Sequence, residues 1–321
     1  MNSGIRILFL TILGSLLVSL YAQGLPEGIA LYRQGRTGEA KKIFDGLIQQ
    51  NKNYADAHYW LGRIYLVPAF KDYDRAVDEM EEAVDLNANS AEFHFGLGEA
   101  LGLKTRDAGV FKQAMLAPKV RKAFERAAQL DPGHLGAHRG LAEFYWQAPG
   151  IMGGDTEKAW KEADMILRID ETQGRLMRAT FFERQKNLAE AENEVRQLLA
   201  HRPRDWRAQR AAGLWYLRNQ KTDDAIAALK QYTALRPDTA DSYARLAQAY
   251  LQKKDADRAL QLTTKALTID KDSFNAISFQ AYALELKGQK KEALERYQKL
   301  LALDLSEEQR KNLEKKIKEL Q

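Results

Sequence analysis

The chain has 321 residues, of which 45% are apolar, and its 49 Lys and Arg against 44 Asp and Glu give a formal net charge of +5. This composition is typical of a globular chain with a sizeable core, and it excludes a collagen-like or wholly disordered protein. So small a charge excess over this length does not by itself indicate a nucleic-acid-binding protein. The chain has no cysteine, which excludes disulfides, thiol catalysis, Cys-ligated zinc and lipoprotein attachment.

The first residues have the pattern of a secretory signal. Arg6 provides a short positive region, residues 7–20 form an apolar run, and small or polar residues follow at 21–24. This pattern predicts a signal peptide over residues 1–22 and export, in a bacterium to the periplasm. Leu20 at the −3 position of a cleavage after Ala22 fits less well than a small residue, so an uncleaved inner-membrane anchor is the alternative. The apolar run is, however, shorter than the about 20 residues of a spanning helix.

The rest of the chain is repetitive, with a period near 34 residues. Three copies in register begin at Trp206, Ala240 and Phe274, and each has Gly or Ala at its eighth position and Ala at its twentieth. Small residues at these positions allow two antiparallel helices to cross closely. The predicted repeats begin at about Tyr21, Ala55, Ala91, Leu135, Gly174, Trp206, Ala240 and Phe274.

This spacing resembles the tetratricopeptide repeat over about residues 21–305. The residues that carry the resemblance are Leu61-Gly62 with Tyr65, Leu141-Ala142 with Tyr145, Gly213 with Tyr216 and Ala225, and the helix-ending Pro132, Pro203 and Pro237. The resemblance implies an all-α fold, with a right-handed superhelical solenoid of about eight helix-turn-helix repeats over residues 23–305. Residues 141–155 also resemble a segment of uncharacterised exported bacterial tetratricopeptide repeat proteins.

Three repeats are longer than the others, and the extra length is predicted at about 68–70, 103–117 and 148–155. All three insertions fall between the two helices of their repeat, so they emerge at one edge of the solenoid, where adjacent loops can form a binding surface. The alternative is that the middle segment folds back and seals its own repeat. Asp155 is placed to cap the helix that begins at Thr156.

Residues 306–321 are predicted to form a helix that caps the last repeat. Ser306 and Gln309 have the spacing of a capping box, and Leu313, Ile317 and Leu320 form one apolar stripe on an otherwise charged helix. The stripe spans too few heptads for a separate coiled coil.

No motif indicates an enzyme, a cofactor or a metal site. His134 and His138 have the spacing of two zinc ligands on one helix face, but His134 follows a Pro-Gly pair and is expected in the turn before the helix. Glycines within residues 96–102 approximate a dinucleotide fingerprint without the strand that such a motif needs. We therefore predict a non-enzymatic protein without a cofactor.

The candidate binding residues come from the resemblance, which implies that the first helix of each repeat lines a concave groove. Counted from the predicted starts, that face carries a cluster of basic and aromatic side chains across repeats four to six: Arg139, Trp146, Arg175, Arg178, Phe182, Lys186, Arg207, Arg210 and Arg218. Arginine forks and aromatic faces suit an extended acidic peptide. The alternative is that these arginines pair with neighbouring glutamates on an ordinary helix surface.

These features together predict a protein–protein interaction scaffold or adaptor of the bacterial cell envelope, periplasmic or exported, with no nucleic-acid partner expected. Three alternatives stay open. In the first, residues 7–20 are retained and tether the adaptor to the membrane. In the second, the same basic cluster binds an anionic glycan or nucleic acid, in which case binding should weaken steeply with salt. In the third, the loops of repeats three and four hold an enzyme site that no motif reveals.

Overall fold

The computed structural model of the chain describes residues 24–106, 108–303 and 305–321, and its regular secondary structure over them is all helical, as predicted. The predicted signal peptide, residues 1–22, lies outside the described residues. The chain divides into two compact units, an N-terminal unit that ends at Asp170 and a C-terminal unit of Glu171–Gln321. Among the described residues, no helix is both long enough and apolar enough to cross a membrane.

The N-terminal unit contains four helix pairs. Its helices are α1 (24–33), α2 (Thr37–Gln50), α3 (Ala55–Leu66), α4 (Tyr73–Leu86), α5 (Ala91–Arg106), α6 (Val110–Leu130), α7 (Leu135–Gln147) and α8 (Thr156–Ile169). Two single-turn 3-10 helices, η1 (Pro68–Phe70) and η2 (Gly150–Met152), join α3 to α4 and α7 to α8. Asp155 caps α8 as predicted, because its side chain accepts a hydrogen bond from the backbone N–H of Lys158.

The C-terminal unit contains four further pairs and one additional helix. Its helices are α9 (Glu171–Arg184), α10 (Leu188–His201), α11 (Trp206–Arg218), α12 (Thr222–Leu235), α13 (Ala240–Gln252), α14 (Ala256–Ile269), α15 (Phe274–Leu286), α16 (Lys290–Leu301) and α17 (Glu307–Leu320). The predicted capping box of Ser306 and Gln309 starts α17. Leu313 and Ile317 of α17 are buried against Tyr297 and Leu300, so this helix covers the end of the last repeat.

Small residues at the eighth position of the repeats let the paired helices cross closely. A Cβ on Gly98 would lie 2.6 Å from the ring of Phe124, and a Cβ on Gly213 would lie 2.5 Å from Cγ of Leu229. Neither position has room for a side chain. The aromatic residues three positions later are buried beside these crossings, as predicted: Tyr65, Tyr145, Tyr216 and Tyr250.

The helices of each unit form two layers. The first helices of neighbouring repeats pack against one another, as α3 does on α5 and α11 on α13, whereas each second helix packs on the first helices before and after it. Within a unit the layer of first helices is therefore the more closely spaced one, and we call its exposed side the inner face.

The insertion predicted as a loop over residues 103–117 is largely helical. Its first residues extend α5 to Arg106, and the remainder forms the first two turns of α6, with Pro118 inside that helix. The Lys, Gln, Ala, Met and Leu residues of this segment have high helix propensity, and the missing N–H of Pro118 leaves one exposed turn without its hydrogen bond. The extra length of this repeat therefore lies in a longer helix pair rather than in a binding loop.

Candidate binding groove of the C-terminal unit

Repeat five begins two residues earlier than predicted. Residues with positive φ follow the first helices of repeats five to eight at 34-residue intervals: Lys186 (60°), Gln220 (61°), Lys254 (61°) and Gly288 (73°). Lys254 is the fifteenth residue of the repeat that begins at Ala240. Lys186 holds the same place in repeat five, so this repeat begins at Thr172 and not at Gly174. Glycine is the residue type that normally indicates a positive φ in a sequence, so these turns could not be recognised at Lys186 and Gln220.

This register places three of the predicted binding residues inside the packing of repeat five. Arg175, Arg178 and Phe182 occupy its fourth, seventh and eleventh positions, which in repeat four hold the buried His138, Leu141 and Tyr145. Arg175 is itself buried, and Phe182 packs against the core of the C-terminal unit. The prediction that Arg175 lines an exposed groove is therefore wrong, and Lys186 lies in the turn that follows α9.

Two of these arginines share one buried carboxylate. Arg175 Nη1 donates to Glu194 Oε2 at 3.0 Å, and Arg178 Nε donates to Glu194 Oε1 at 2.7 Å. The side chain of Glu194 is only 8% exposed. Arg175 also donates to Glu171 at 3.0 Å and to Gln197 at 2.6 Å. This network joins α9 to α10, so its charges serve the packing of repeat five.

Glu171 is the acidic end of the same network. Arg202 Nε donates to Glu171 Oε2 at 2.9 Å, and His201 Nδ1 lies 2.7 Å from Oε1. The hydrogen bond from Arg202, followed by that from His201, lowers the pKa of Glu171 to about 2. The carboxylate therefore stays charged at any ordinary pH and holds the start of α9 against the end of α10.

The predicted residues of α11 are all partly exposed, and each has a neighbour. The guanidinium of Arg207 lies 4.8 Å from the ring centroid of Trp206. Arg210 Nε donates to Asp241 Oδ2 at 2.7 Å. Burial acts to raise the pKa of Asp241, but the hydrogen bond and charge of Arg210 outweigh it, and the pKa is lowered. These contacts link α11 to its own first turn and to α13.

The two remaining predicted residues, Arg139 and Trp146, belong to α7 of the N-terminal unit. Arg139 is exposed and lines a cleft of about 820 Å³ between α5, α6 and α7, together with Glu99 and Glu143. Trp146 is half-buried, with its ring edge-on to Trp160 at a centroid distance of 6.4 Å. The two carboxylates give this cleft no basic character.

A groove of about 470 Å³ crosses the inner face of repeats six to eight. Its walls come from three parallel first helices, and its lining is Leu214, Leu217, Arg218, Gln248, Leu251, Gln252, Lys254, Phe279 and Tyr282. Tyr282 is 46% exposed although it is a large aromatic residue. Of the nine binding residues predicted from the sequence, only Arg218 lines this groove.

Two cationic side chains, Arg218 and Lys254, line the groove. Arg218 is 61% exposed and donates to Glu183 at 3.2 and 3.3 Å, a surface pair of little energetic weight. Lys254 is exposed, and within the described part of the chain it has no ion-pair partner. An apolar floor, two carboxamides, an exposed tyrosine and two cations together can hold an extended polypeptide that carries acidic side chains.

A tetratricopeptide repeat family model matches residues 25–67, 69–114 and 211–276. The chain is a tetratricopeptide repeat protein. Superkiller complex protein 3 of Mus musculus is 24% identical over 299 residues, a match that covers 86% of this tetratricopeptide repeat protein and 17% of the mouse protein. The human protein of the same name is 24% identical over 286 residues with the same coverage. The chain thus spans only 17% of the length of these curated relatives.

The crystal structure of yeast Tom70 confirms the solenoid fold of this tetratricopeptide repeat protein. The two structures superpose with a TM-score of 0.66 at 13% sequence identity, covering 88% of this chain and 58% of the yeast chain. Tetratricopeptide repeats stack into extended surfaces that bind other proteins, and they are generally scaffolds rather than enzymes. A protein-binding scaffold is therefore the class of function that the repeats support.

The two histidines with zinc-like spacing point to different carboxylates in this tetratricopeptide repeat protein. His134 caps α7, accepting a hydrogen bond at Nδ1, and its Nε2 lies 3.2 Å from Glu92. His138 Nδ1 lies 2.6 Å from Glu162. Hydrogen bonds to these carboxylates raise the pKa of both imidazoles. Within the described residues, no group of three or more His, Cys, Asp or Glu side chains could hold a metal ion.

Proposed function

We propose that this protein is an exported scaffold of a bacterial cell envelope and that the inner face of its C-terminal unit binds an extended acidic segment of a partner protein. The observation that carries the proposal is the groove across α11, α13 and α15, where an exposed tyrosine and two exposed cations line one cleft. The export step rests on the N-terminal residues 6–24 and is tested separately by sequencing the N-terminus of the mature protein.

The spacing of the groove favours an extended ligand. The three first helices are parallel neighbours, and packed helices lie 8–10 Å apart. An extended chain advances about 3.3 Å per residue, so every third side chain of a bound segment meets the next helix. Leu214, Gln248 and Tyr282 occupy the same position of successive repeats and form the matching row of contacts.

The charge of the inner face favours an acidic ligand. Two of the first helices, α11 and α13, carry four arginines against a single carboxylate. The arginines are Arg207, Arg210, Arg218 and Arg245, and the carboxylate is Asp241, which pairs with Arg210 and Arg245. A surface with this excess attracts acidic segments and repels basic ones, which sets specificity and association rate more than affinity.

A charge reversal in the groove tests the proposal against a matched reversal outside it. Arg218→Glu changes a groove residue, and Arg207→Glu makes the same change on the same helix beside Trp206. Both side chains are exposed, so the two variants should melt within about 0.5 kcal/mol of the wild type. The tagged wild type and both variants are incubated with envelope extract, and the captured proteins are compared by mass spectrometry.

We expect a partner that is captured by the wild type and by Arg207→Glu and is lost with Arg218→Glu. The binding segment of that partner should carry Asp or Glu. Equal loss with both variants would indicate general electrostatic attraction instead of the groove. Capture that survives Arg218→Glu and also survives Tyr282→Ala contradicts the proposed groove.

A further inference from the structure

The first two turns of α6 carry an apolar stripe that faces solvent. Phe111, Ala114, Met115 and Pro118 follow the i, i+3, i+4, i+7 spacing that places residues on one face of a helix. All four are exposed, Phe111 by 81% and Met115 by 63%. The buried residues of α6 begin only at Ala117 and lie on the other side of the helix. This stripe has the pattern of a buried helix face, yet no described residue covers it.

Basic side chains border the stripe. Lys112 and Lys119 lie along one side of it, Arg121 lies on the other side, and Lys122 lies at its C-terminal end. Lys112 and Lys122 are exposed, and Lys119 keeps 62% of its side chain exposed beside Glu81. Counting every charged side chain of α6, five cations stand against the single carboxylate of Glu125. The helix therefore combines a protruding apolar stripe with a net positive charge.

A second protruding apolar residue lies on the same edge of the N-terminal unit. Ile151 in η2 is 95% exposed, and η2 packs on α6. Val110, in the first turn of α6, is 73% exposed. These side chains protrude from the ends of helices instead of lining a cleft, so they suit a ligand that needs no complementary shape.

The lysines around the patch favour a lipid surface over a protein partner. Val110, Phe111, Met115 and Ile151 together expose roughly 500 Å², given that a large aromatic side chain buries about 150–250 Å². The apolar part of a standard protein interface has a similar area, but lysine is depleted in protein interfaces. Apolar tips among lysines are instead the pattern of an interfacial element, whose apolar side chains enter the headgroup region while the cations contact anionic lipids.

We propose that the N-terminal half of α6, residues 110–122, together with Ile151, docks the protein on an anionic phospholipid surface. Phe111 and Met115 insert between the headgroups, and Lys112, Lys119 and Lys122 contact their phosphates. This surface is on the N-terminal unit and is distinct from the groove of the C-terminal unit. A scaffold with both features would hold its protein partner next to a membrane.

The absence of cysteine in the chain permits a local test. Ala114→Cys in the full-length protein provides a single site for an environment-sensitive fluorophore within the stripe. Ala189→Cys is the matched control, because Ala189 is also an exposed alanine near the start of a second helix, α10. The label reports insertion at its own position, whatever residues 7–20 do. The probes are vesicles of phosphatidylcholine mixed with phosphatidylglycerol and vesicles of phosphatidylcholine alone.

The proposal predicts a blue shift and an intensity rise of the label at residue 114 with anionic vesicles, and no change at residue 189. Lys112→Ala with Lys122→Ala should weaken vesicle affinity roughly 25-fold, since each lysine contributes roughly fivefold. Phe111→Ser should weaken it at least roughly tenfold. No response at residue 114, or an equal response to neutral vesicles, overturns the proposal. A response without vesicles that grows with protein concentration also overturns it, in favour of a second copy of the chain.

Discussion

Glu194→Gln should destabilise the C-terminal unit by far more than the loss of a surface charge. The substitution keeps the size of the side chain but removes the charge that two arginines share. The NH₂ group of the new glutamine faces guanidinium N–H groups, and two donors cannot form a hydrogen bond with each other. Removing one partner of a buried ion pair costs about 3–5 kcal/mol. Arg175 keeps its bonds to Glu171 and Gln197, and Arg178 is partly exposed, so we expect a loss of about 2–3 kcal/mol.

Urea unfolding followed by circular dichroism measures this loss, and hydrogen exchange in α9 and α10 shows whether it is local to repeat five, as expected for a repeat protein. Asp223→Asn is the matched control. It makes the same carboxylate-to-amide change at a side chain that is 83% exposed and paired with Lys253. The control should lose at most about 1 kcal/mol. Equal losses in the two variants would refute the buried network of repeat five.

Three further predictions concern packing and pH. Gly98→Ala should destabilise the N-terminal unit by about 1–3 kcal/mol because its Cβ meets a buried ring, whereas Gly102→Ala, with open space around it, should stabilise by about 0.5–1 kcal/mol; thermal melts of the two variants decide, and the same sign in both contradicts the packing. The folded-state pKa of Glu171 is lowered from 4.5 to about 2, so its contribution to stability is present above pH 4.5 and lost as the pH falls toward 2. The urea midpoint of the wild type should therefore fall as the pH is lowered from 4.5 toward 2, and the midpoint of Glu171→Gln should fall less. An equal fall in the two proteins would contradict this prediction. The pKa of His138 is raised above 6.5 by its hydrogen bond to Glu162, so its contribution is complete below pH 6.5 and lost as the pH rises through the folded pKa. In His138→Gln, this loss of stability with rising pH should be absent from the urea midpoints. A pH profile equal to that of the wild type would show that His138 makes no such contribution.

The repeat architecture was predictable because it depends on residue size at fixed positions. Gly98 and Gly213 mark helix crossings in the sequence, and the structure shows a large side chain against each of them. Tyr216 and Tyr250 fill the space beside such crossings for the same reason. The capping box at Ser306 was visible because it joins two side chains only three residues apart.

The candidate groove was only partly predictable, because a shift in register changes which face a side chain occupies. Repeat five has Ala179 and Phe182 where repeat six has Gly213 and Tyr216, so the sequence marks its register less clearly. A start at Gly174 instead of Thr172 places its arginines on the inner face. Glu194, which holds Arg175 and Arg178, lies on the next helix, and such a pairing leaves no trace in the spacing of one repeat. The loop expected over 103–117 is helical because helix propensity outweighs one exposed proline.

The measurement that most directly tests the central claim is photocrosslinking from the groove. A photoreactive phenylalanine analogue replaces Tyr282 in one protein and Leu188 in another; both residues are exposed and large, but Leu188 lies on α10, a second helix outside the groove. The two proteins are irradiated in envelope extract, and crosslinked peptides are identified by mass spectrometry. The proposed function predicts crosslinks at Tyr282 to one partner segment that carries Asp or Glu, and none of these at Leu188. Crosslinks to that partner at Leu188 and none at Tyr282 would contradict it.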